Sequence, residues 1–222
     1  MKKLTGIILT SLLLAASACG KKEGKFNEAS AKQGSTQNLN ASLTLKDSTD
    51  ANAGKTAAGQ FYAAAFASST SVTPTAFRLP SLKQGAYAAG CECSGTSCTF
   101  QDCADDNGSL STTGTLSWTG GHVVASLTAT YNDSSTASFV VTIDVDLTIT
   151  DTSINGHANS TGEYKLTGFA GAAGGYKWVA NLEYSNVTYA NGSPTGGSVS
   201  FDGEYTVGNA QTYASSGTIN YP

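Results

Sequence analysis

From about Leu110 to the C-terminus, apolar and polar residues alternate with a period of two. Phe139, Val141, Ile143, Val145, Leu147 and Ile149 alternate with Val140, Thr142, Asp144, Asp146, Thr148 and Thr150. Successive side chains of a strand point to opposite faces, so this run is one long strand with an apolar face and a mostly polar one. Tyr176, Trp178, Ala180, Leu182 and Tyr184 repeat the pattern, as do Val199, Phe201, Gly203, Tyr205 and Val207. Turn-forming residues separate the runs: Gly120-Gly121, Asn132-Asp133, Asn155-Gly156, Gly171 to Gly175, Asn191-Gly192-Ser193-Pro194 and Gly208-Asn209. The pattern predicts about seven strands, near 114–119, 122–131, 137–151, 157–168, 176–189, 197–207 and 211–221. The expected class is mainly all-β. Strands joined by short turns form an antiparallel meander, and clean alternation places one face on a core and the other in water. An outer-membrane barrel also alternates. It needs lipid-facing residues all round and at least about eight strands, which disfavours it here.

Ala57 to Ser68 is the helix candidate. Phe61 and Ala65, like Tyr62 and Phe66, stand four apart and share a face, and alanine is abundant. Pro74 and Pro80 lie in the stretch that follows. This helix is expected to lie across the apolar face, with Phe61 and Phe66 among Tyr164, Trp178, Leu182, Phe201 and Tyr205. The gaps at Gly162, Ala180 and Gly203 then read as room for its alanines rather than for a ligand. Residues 20 to about 55 are rich in Lys, Ser, Asn, Ala, Gln and Thr, which is the composition of a flexible tether. Ala53-Gly54-Lys55-Thr56 ends like a phosphate-binding loop. That motif needs a glycine five positions before Gly54, where Thr49 stands, and no strand precedes it.

At the N-terminus, Lys2 and Lys3 precede an apolar run from Leu4 to Ala16, broken by Thr5, Gly6, Thr10 and Ser11. Ala15, Ala16, Ser17 and Ala18 close it ahead of Cys19. A charged start, a short apolar core and a small-residue exit form a secretory signal. The run is shorter than the roughly 20 apolar residues that span a bilayer. Ala16-Ser17-Ala18-Cys19 resembles the lipobox of bacterial lipoproteins, although the commonest form has Leu three residues before the cysteine and this chain has Ala. The resemblance covers about the first 20 residues, as a processing signal. It implies lipid attachment to the Cys19 sulfur, cleavage before Cys19 and acylation of the new amino group. Gly20 in place of the Asp that commonly retains such proteins in the inner membrane leans the expected location towards the outer membrane. The organisation expected is a signal peptide over 1–18, a lipid-anchored tether over 19–55 and a single β-rich domain over 56–222.

Cys91, Cys93, Cys98 and Cys103 form C-x-C-x4-C-x4-C. In an exported chain that density predicts two disulfides, stapling a loop at 91–103 ahead of the sheet. A Cys91–Cys93 bond strains disulfide geometry. Two pairings remain: 91–98 with 93–103, or 91–103 with 93–98. The spacing lacks the paired C-x2-C knuckles of a zinc site. Charge is uneven. From Gln84 onward Lys165 and Lys177 stand against twelve carboxylates, a net −10. An acidic surface repels phosphate, so nucleic acid is not an expected partner.

Catalytic signatures are absent. There is no G-x-S-x-G and no H-E-x-x-H, and His122 and His157 each adjoin a turn signal. Asp144 and Asp146 share the polar face of one strand, but a wet, Thr-rich face does not drive two carboxyl pKa values apart. Asp102, Asp105, Asp106 and Asn107 precede Gly108 without the spacing of a calcium loop. No cofactor and no metal are expected. The functional expectation is a lipid-anchored, palmitate-bearing, non-catalytic envelope protein, structural or partner-binding, with the membrane as its one named partner. The alternative is a small-ligand or lipid-binding module using the aromatic, glycine-gapped face. A cavity of about 300 Å³ or more on that face would favour the alternative.

Overall fold

The alternation downstream of Leu110 builds a strand in each of the seven expected stretches, with some ends shifted. The computed structural model describes residues 21–71, 91–104, 110–133, 137–166, 175–208 and 211–222. Seven long strands follow the period-two runs: β4 (Leu110–Thr119), β5 (His122–Asp133), β6 (Ala137–Ile149), β7 (Ser153–Leu166), β8 (Gly175–Ala190), β9 (Ser193–Val207) and β10 (Gln211–Asn220). Three further strands were not expected: β1 (Lys22–Glu23), β2 (Cys91–Ser94) and β3 (Ser97–Ala104). All ten form one sheet in the order β1-β10-β9-β8-β7-β6-β5-β4-β3-β2. Neighbours from β2 to β10 pair antiparallel, while β1 pairs parallel to β10, so the sheet is mixed rather than purely antiparallel. The two edges are β1 and β2, and the sheet does not close into a barrel.

The turns separate two uses of glycine. Gly120-Gly121 and Asn191-Gly192 have positive φ at both positions and close their hairpins as their sequences predict. Asn155-Gly156 does not. The chain reverses at Thr150–Ser153, where Thr150 N–H donates to the Ser153 carbonyl at 2.8 Å and the Thr150 hydroxyl accepts from Ser153 N–H at 3.0 Å. Asn155-Gly156 then lies inside β7 at a register shift, with Gly156 at φ +120° over the β6 backbone. The Asn155 side chain accepts from Asn186 N–H at 2.8 Å, so the bulge is bonded across to β8.

Two helices, not one, cover the apolar face. α1 spans Glu28–Lys46 and α2 spans Ala51–Ser69. Asn27 caps α1 through Ser30 N–H, and Asp50 caps α2 through Asn52 N–H at 2.9 Å. The helix expected over 57–68 is therefore the C-terminal two-thirds of α2. The tether expected over 19–55 is overturned for α1 and the start of α2. Ala31, Gly34, Ser35, Asn38, Leu39, Ala41, Ser42 and Leu45 of α1 are buried. They recur at the three- and four-residue steps of a helix face. Most are small or polar, so composition reads as tether while residue size reads as a packing stripe.

The core lies between this helical hairpin and the inward face of the sheet. Phe61, Trp118, Val141, Leu147, Leu182, Tyr184 and Phe201 are all 3% exposed or less. Gly34 admits the close approach of α1 to α2, where a Cβ would come within 2.9 Å of the Ala64 carbonyl oxygen. Gly54 plays the same part against β4, where a Cβ would meet the Trp118 ring at 2.6 Å. The Trp118 indole N–H donates to the Ser48 carbonyl at 2.7 Å and holds the α1–α2 turn to the sheet.

Candidate functional site

The apolar face was the candidate ligand groove, and its geometry decides what it does. Phe61 is fully buried, and Phe66 packs edge-on against Phe139 with ring centroids 5.4 Å apart and against Trp178 at 6.0 Å. The glycine gaps are occupied, but by aromatic rings rather than by helix alanines. Trp178 lies against Gly162 from the neighbouring strand, and Phe201 lies beside Gly203 on its own strand. Phe26, just ahead of α1, covers Gly217 and packs on Phe201 at 5.4 Å. Between helices and sheet, a crevice lined by Asn38, Phe61, Ser68, Ile143, Ser160 and Leu182 holds about 10 Å³. That is about the room one water needs, and the serine and asparagine lining suits a water.

Polar groups at this interface pin α1 in place. The Asn38 amide donates to the Tyr184 hydroxyl at 3.2 Å, and that hydroxyl donates to the Ser35 carbonyl at 3.3 Å. The Ser35 and Tyr221 hydroxyls share a bond of 2.6 Å, and Lys32 stands over the Tyr221 ring at 5.4 Å. Burial pushes the Tyr184 hydroxyl well above the ordinary tyrosine range, against a smaller lowering by Asn38. A neutral tyrosine bonded on both sides is a structural strut.

One end of the inward face is aromatic. Tyr131 stacks on Phe139 at 5.1 Å and Tyr164 on Tyr176 at 5.2 Å, and the series continues through Tyr205 to Tyr213. Burial raises the hydroxyls of Tyr164, Tyr176 and Tyr205.

The outward face is polar and solvated. Register places Ser117, Val124, Asp146, His157, Glu183, Ser200 and Thr218 in one row across it. The next row is Thr115, Ser126, Asp144, Asn159, Asn181, Asp202 and Ser216. Asp144 and Asp146, weighed as an acid pair, each meet a different histidine: His157 Nε2 lies 3.2 Å from Asp144 and His122 Nε2 2.8 Å from Asp146. These pairs were not foreseen, because cross-strand neighbours depend on register. All four side chains are between 37% and 59% exposed, so such pairs contribute about 0–1 kcal/mol. Further along, Lys165 draws the Glu163 carboxyl below its usual range, with help from Lys177. Among the described residues, no group of three or more His, Cys, Asp or Glu is placed to hold a metal ion.

The four cysteines form two disulfides, Cys91–Cys103 and Cys93–Cys98, with Cα separations of 5.2 and 4.0 Å. This is the second of the two pairings left open. The cluster does not staple a loop ahead of the sheet; it is the β2–β3 hairpin, the sheet's own edge. Cys93 and Cys98 are direct cross-strand partners. Asp102 belongs to β3 and accepts from the Ser111 hydroxyl at 3.4 Å, while 105–109 lie outside the described residues. Cys19 and the signal segment 1–18 also lie outside them. No described helix is long and apolar enough to cross a membrane.

Fold and sites together define, among the described residues, a mixed ten-stranded sheet packed on a helical hairpin through aromatic and aliphatic side chains, with a polar outer face and a disulfide-bonded edge. No family model, no curated protein and no solved structure matches the chain.

Proposed function

We propose that this protein is a lipid-anchored, non-catalytic component of the bacterial cell envelope, structural or partner-binding, held through an acylated Cys19 on the outer membrane. The observation that carries the non-ligand part of this reading is the filled apolar face. The crevice between helices and sheet lined by Asn38, Phe61 and Leu182 holds about 10 Å³, against the several hundred Å³ that small-molecule pockets need. Among the described residues, the outward face offers a partner its Ser, Thr, Asn and Asp rows. Two disulfides suit an exported, oxidising setting. The anchor itself rests on the resemblance of Ala16-Ser17-Ala18-Cys19 to a lipobox.

Metabolic labelling with palmitate tests the anchor. The natural protein should carry label and sediment with membranes. Cys19→Ser should lose the label and either be released or accumulate as the uncleaved precursor. Label retained in the variant overturns the assignment of Cys19.

A further inference from the structure

The chain is tied to the sheet almost as soon as it leaves Cys19. Lys22–Glu23 pairs parallel with Tyr213–Ala214, and Gly24 N–H donates to the Ala214 carbonyl at 2.7 Å. Lys21 forms an ion pair with Glu204 on β9. Phe26 is set on Phe201, and Asn27 N–H donates to the Ser71 carbonyl at 3.1 Å. Only Gly20 separates Cys19 from Lys21. Two residues reach about 7 Å at full extension. A lipid on Cys19 would therefore enter the bilayer within about 7 Å, along the backbone, of a residue paired to the sheet.

Strand direction says which end of the sheet this is. β1 runs parallel to β10, so stepping back from Lys22 leads towards the start of β10 at Gln211. Register places Gln211 in one row with Val207, Tyr176, Tyr164, Phe139 and Tyr131. Lys21, the first described residue, therefore lies at the aromatic end. Tyr213, the β10 partner of Lys22, is half-buried there, and Lys22 and Lys25 are exposed. Lys165 and Lys177 lie at the same end, both beside Glu163. Glu23, Glu163 and Glu204 share that end, Glu163 and Glu204 paired with its lysines. Asp146, Asp151 and Glu183 lie towards the opposite end, near the turns at Gly120-Gly121, Thr150–Ser153 and Asn191-Gly192, where Lys46 pairs with Asp151. Tyrosine and lysine suit the membrane–water boundary, where an apolar body and a polar tip are both satisfied. Anionic headgroups attract lysines near the surface and repel carboxylates.

We propose that the β1–β10 edge, with Lys22, Lys25 and Tyr213, is a membrane-seating surface. The domain rests directly on an anionic phospholipid bilayer at its aromatic end, through Tyr213 and the exposed Lys22 and Lys25, and presents the end with the Gly120-Gly121, Thr150–Ser153 and Asn191-Gly192 turns away from it. This rests on the anchoring of Cys19 proposed above.

The test separates seating from anchoring. With both disulfides formed, the chain from Cys19 onward has Cys19 as its one free thiol. Coupling that thiol to a maleimide phospholipid in phosphatidylethanolamine–phosphatidylglycerol vesicles supplies the anchor whatever happens in the cell. Lysine acylation by a water-soluble ester, read by mass spectrometry, then compares the coupled protein with the free one. Lys22 and Lys25 should be protected severalfold on vesicles, while Lys55, at the start of α2, keeps its free-protein reactivity. Unchanged reactivity at Lys22 and Lys25 overturns the seating surface and leaves the anchor standing. Equal protection at Lys55 overturns it too, because the domain would then have no preferred side. Loss of the anchor assignment shows only in palmitate labelling.

Discussion

Trp178 shows how one side chain decides between a groove and a core. It is 3% exposed, lies across Gly162 and meets Phe66 with ring centroids 6.0 Å apart. Any side chain at 162 would occupy the volume of the indole, so the glycine belongs to the tryptophan. Truncating a buried aromatic removes its transfer free energy and leaves a cavity, at a cost of about 3–5 kcal/mol. Trp178→Ala should therefore lower the urea midpoint by a matching amount. Phe66→Ala should cost less, because Phe66 is only partly buried. The two rings touch, so the double variant should lose less than the sum of the singles. If both single variants keep the natural midpoint in urea melts, the face is not a packed core.

At the scale of elements, the edges differ in how they are closed. The β2–β3 hairpin is held by Cys91–Cys103 and Cys93–Cys98, which close loops of 12 and 5 residues in sequence separation. Each such bond contributes about 2–3 kcal/mol in the chain-entropy model. The hairpin adjoins only β4 along the sheet, whereas β5 to β9 each have long partners on both sides. Reduction should therefore speed amide exchange in residues 91–104 and leave β6 to β8 protected. Thiol counting on the denatured, unreduced mature protein should find none from these four cysteines. Four free thiols, or stoichiometric zinc, would sink the disulfide assignment. At the other edge, β1 is two residues long and carries Lys22 and Glu23. A short, charged edge strand discourages further strand addition.

Across the whole molecule, stability depends on a segment that composition marks as dispensable. α1 buries eight residues and is bonded to β8 through Tyr184 and to the C-terminus through Tyr221. Lys46, in its last turn, is paired with Asp151 at 2.8 Å, which raises the lysine pKa and lowers the aspartate's. Asp151 is 98% exposed although Lys46 is only 17% exposed, so solvent at the carboxylate screens the pair, which orients the helix end more than it stabilises it. Removing residues 28–46 would uncover Leu182, Tyr184 and the buried side of α2. The deletion variant should lose its cooperative thermal transition and bind a hydrophobic dye. A true tether could be removed with the transition unchanged, so an unaltered melting curve would restore the tether reading.

Legibility followed the kind of information each feature needs. The seven long strands, the Gly120-Gly121 and Asn191-Gly192 turns and the aromatic face of α2 were readable, because period, turn chemistry and helical spacing are local properties. The disulfide-rich character of 91–103 was readable from cysteine density, but the choice between two pairings needed β2 opposite β3. α1 was missed because its buried face is written in Ser, Gly, Asn and Ala. Small size favours close helix packing, yet carries no hydrophobic signal until a partner is present to be approached. Asn155-Gly156 was misplaced for a related reason. Its sequence permits positive φ equally in a turn or a bulge, and only pairing with β6 and β8 selects the bulge. The His122–Asp146 and His157–Asp144 pairs lie 24 and 13 residues apart in sequence. The sequence by itself determined which residues alternate, where several turns form and that a cysteine stands behind a signal-like segment. Tertiary structure decided what covers the apolar face, which end of the sheet the N-terminus leaves from and which charges meet. Those are properties of register and packing, set by residues far apart in the chain.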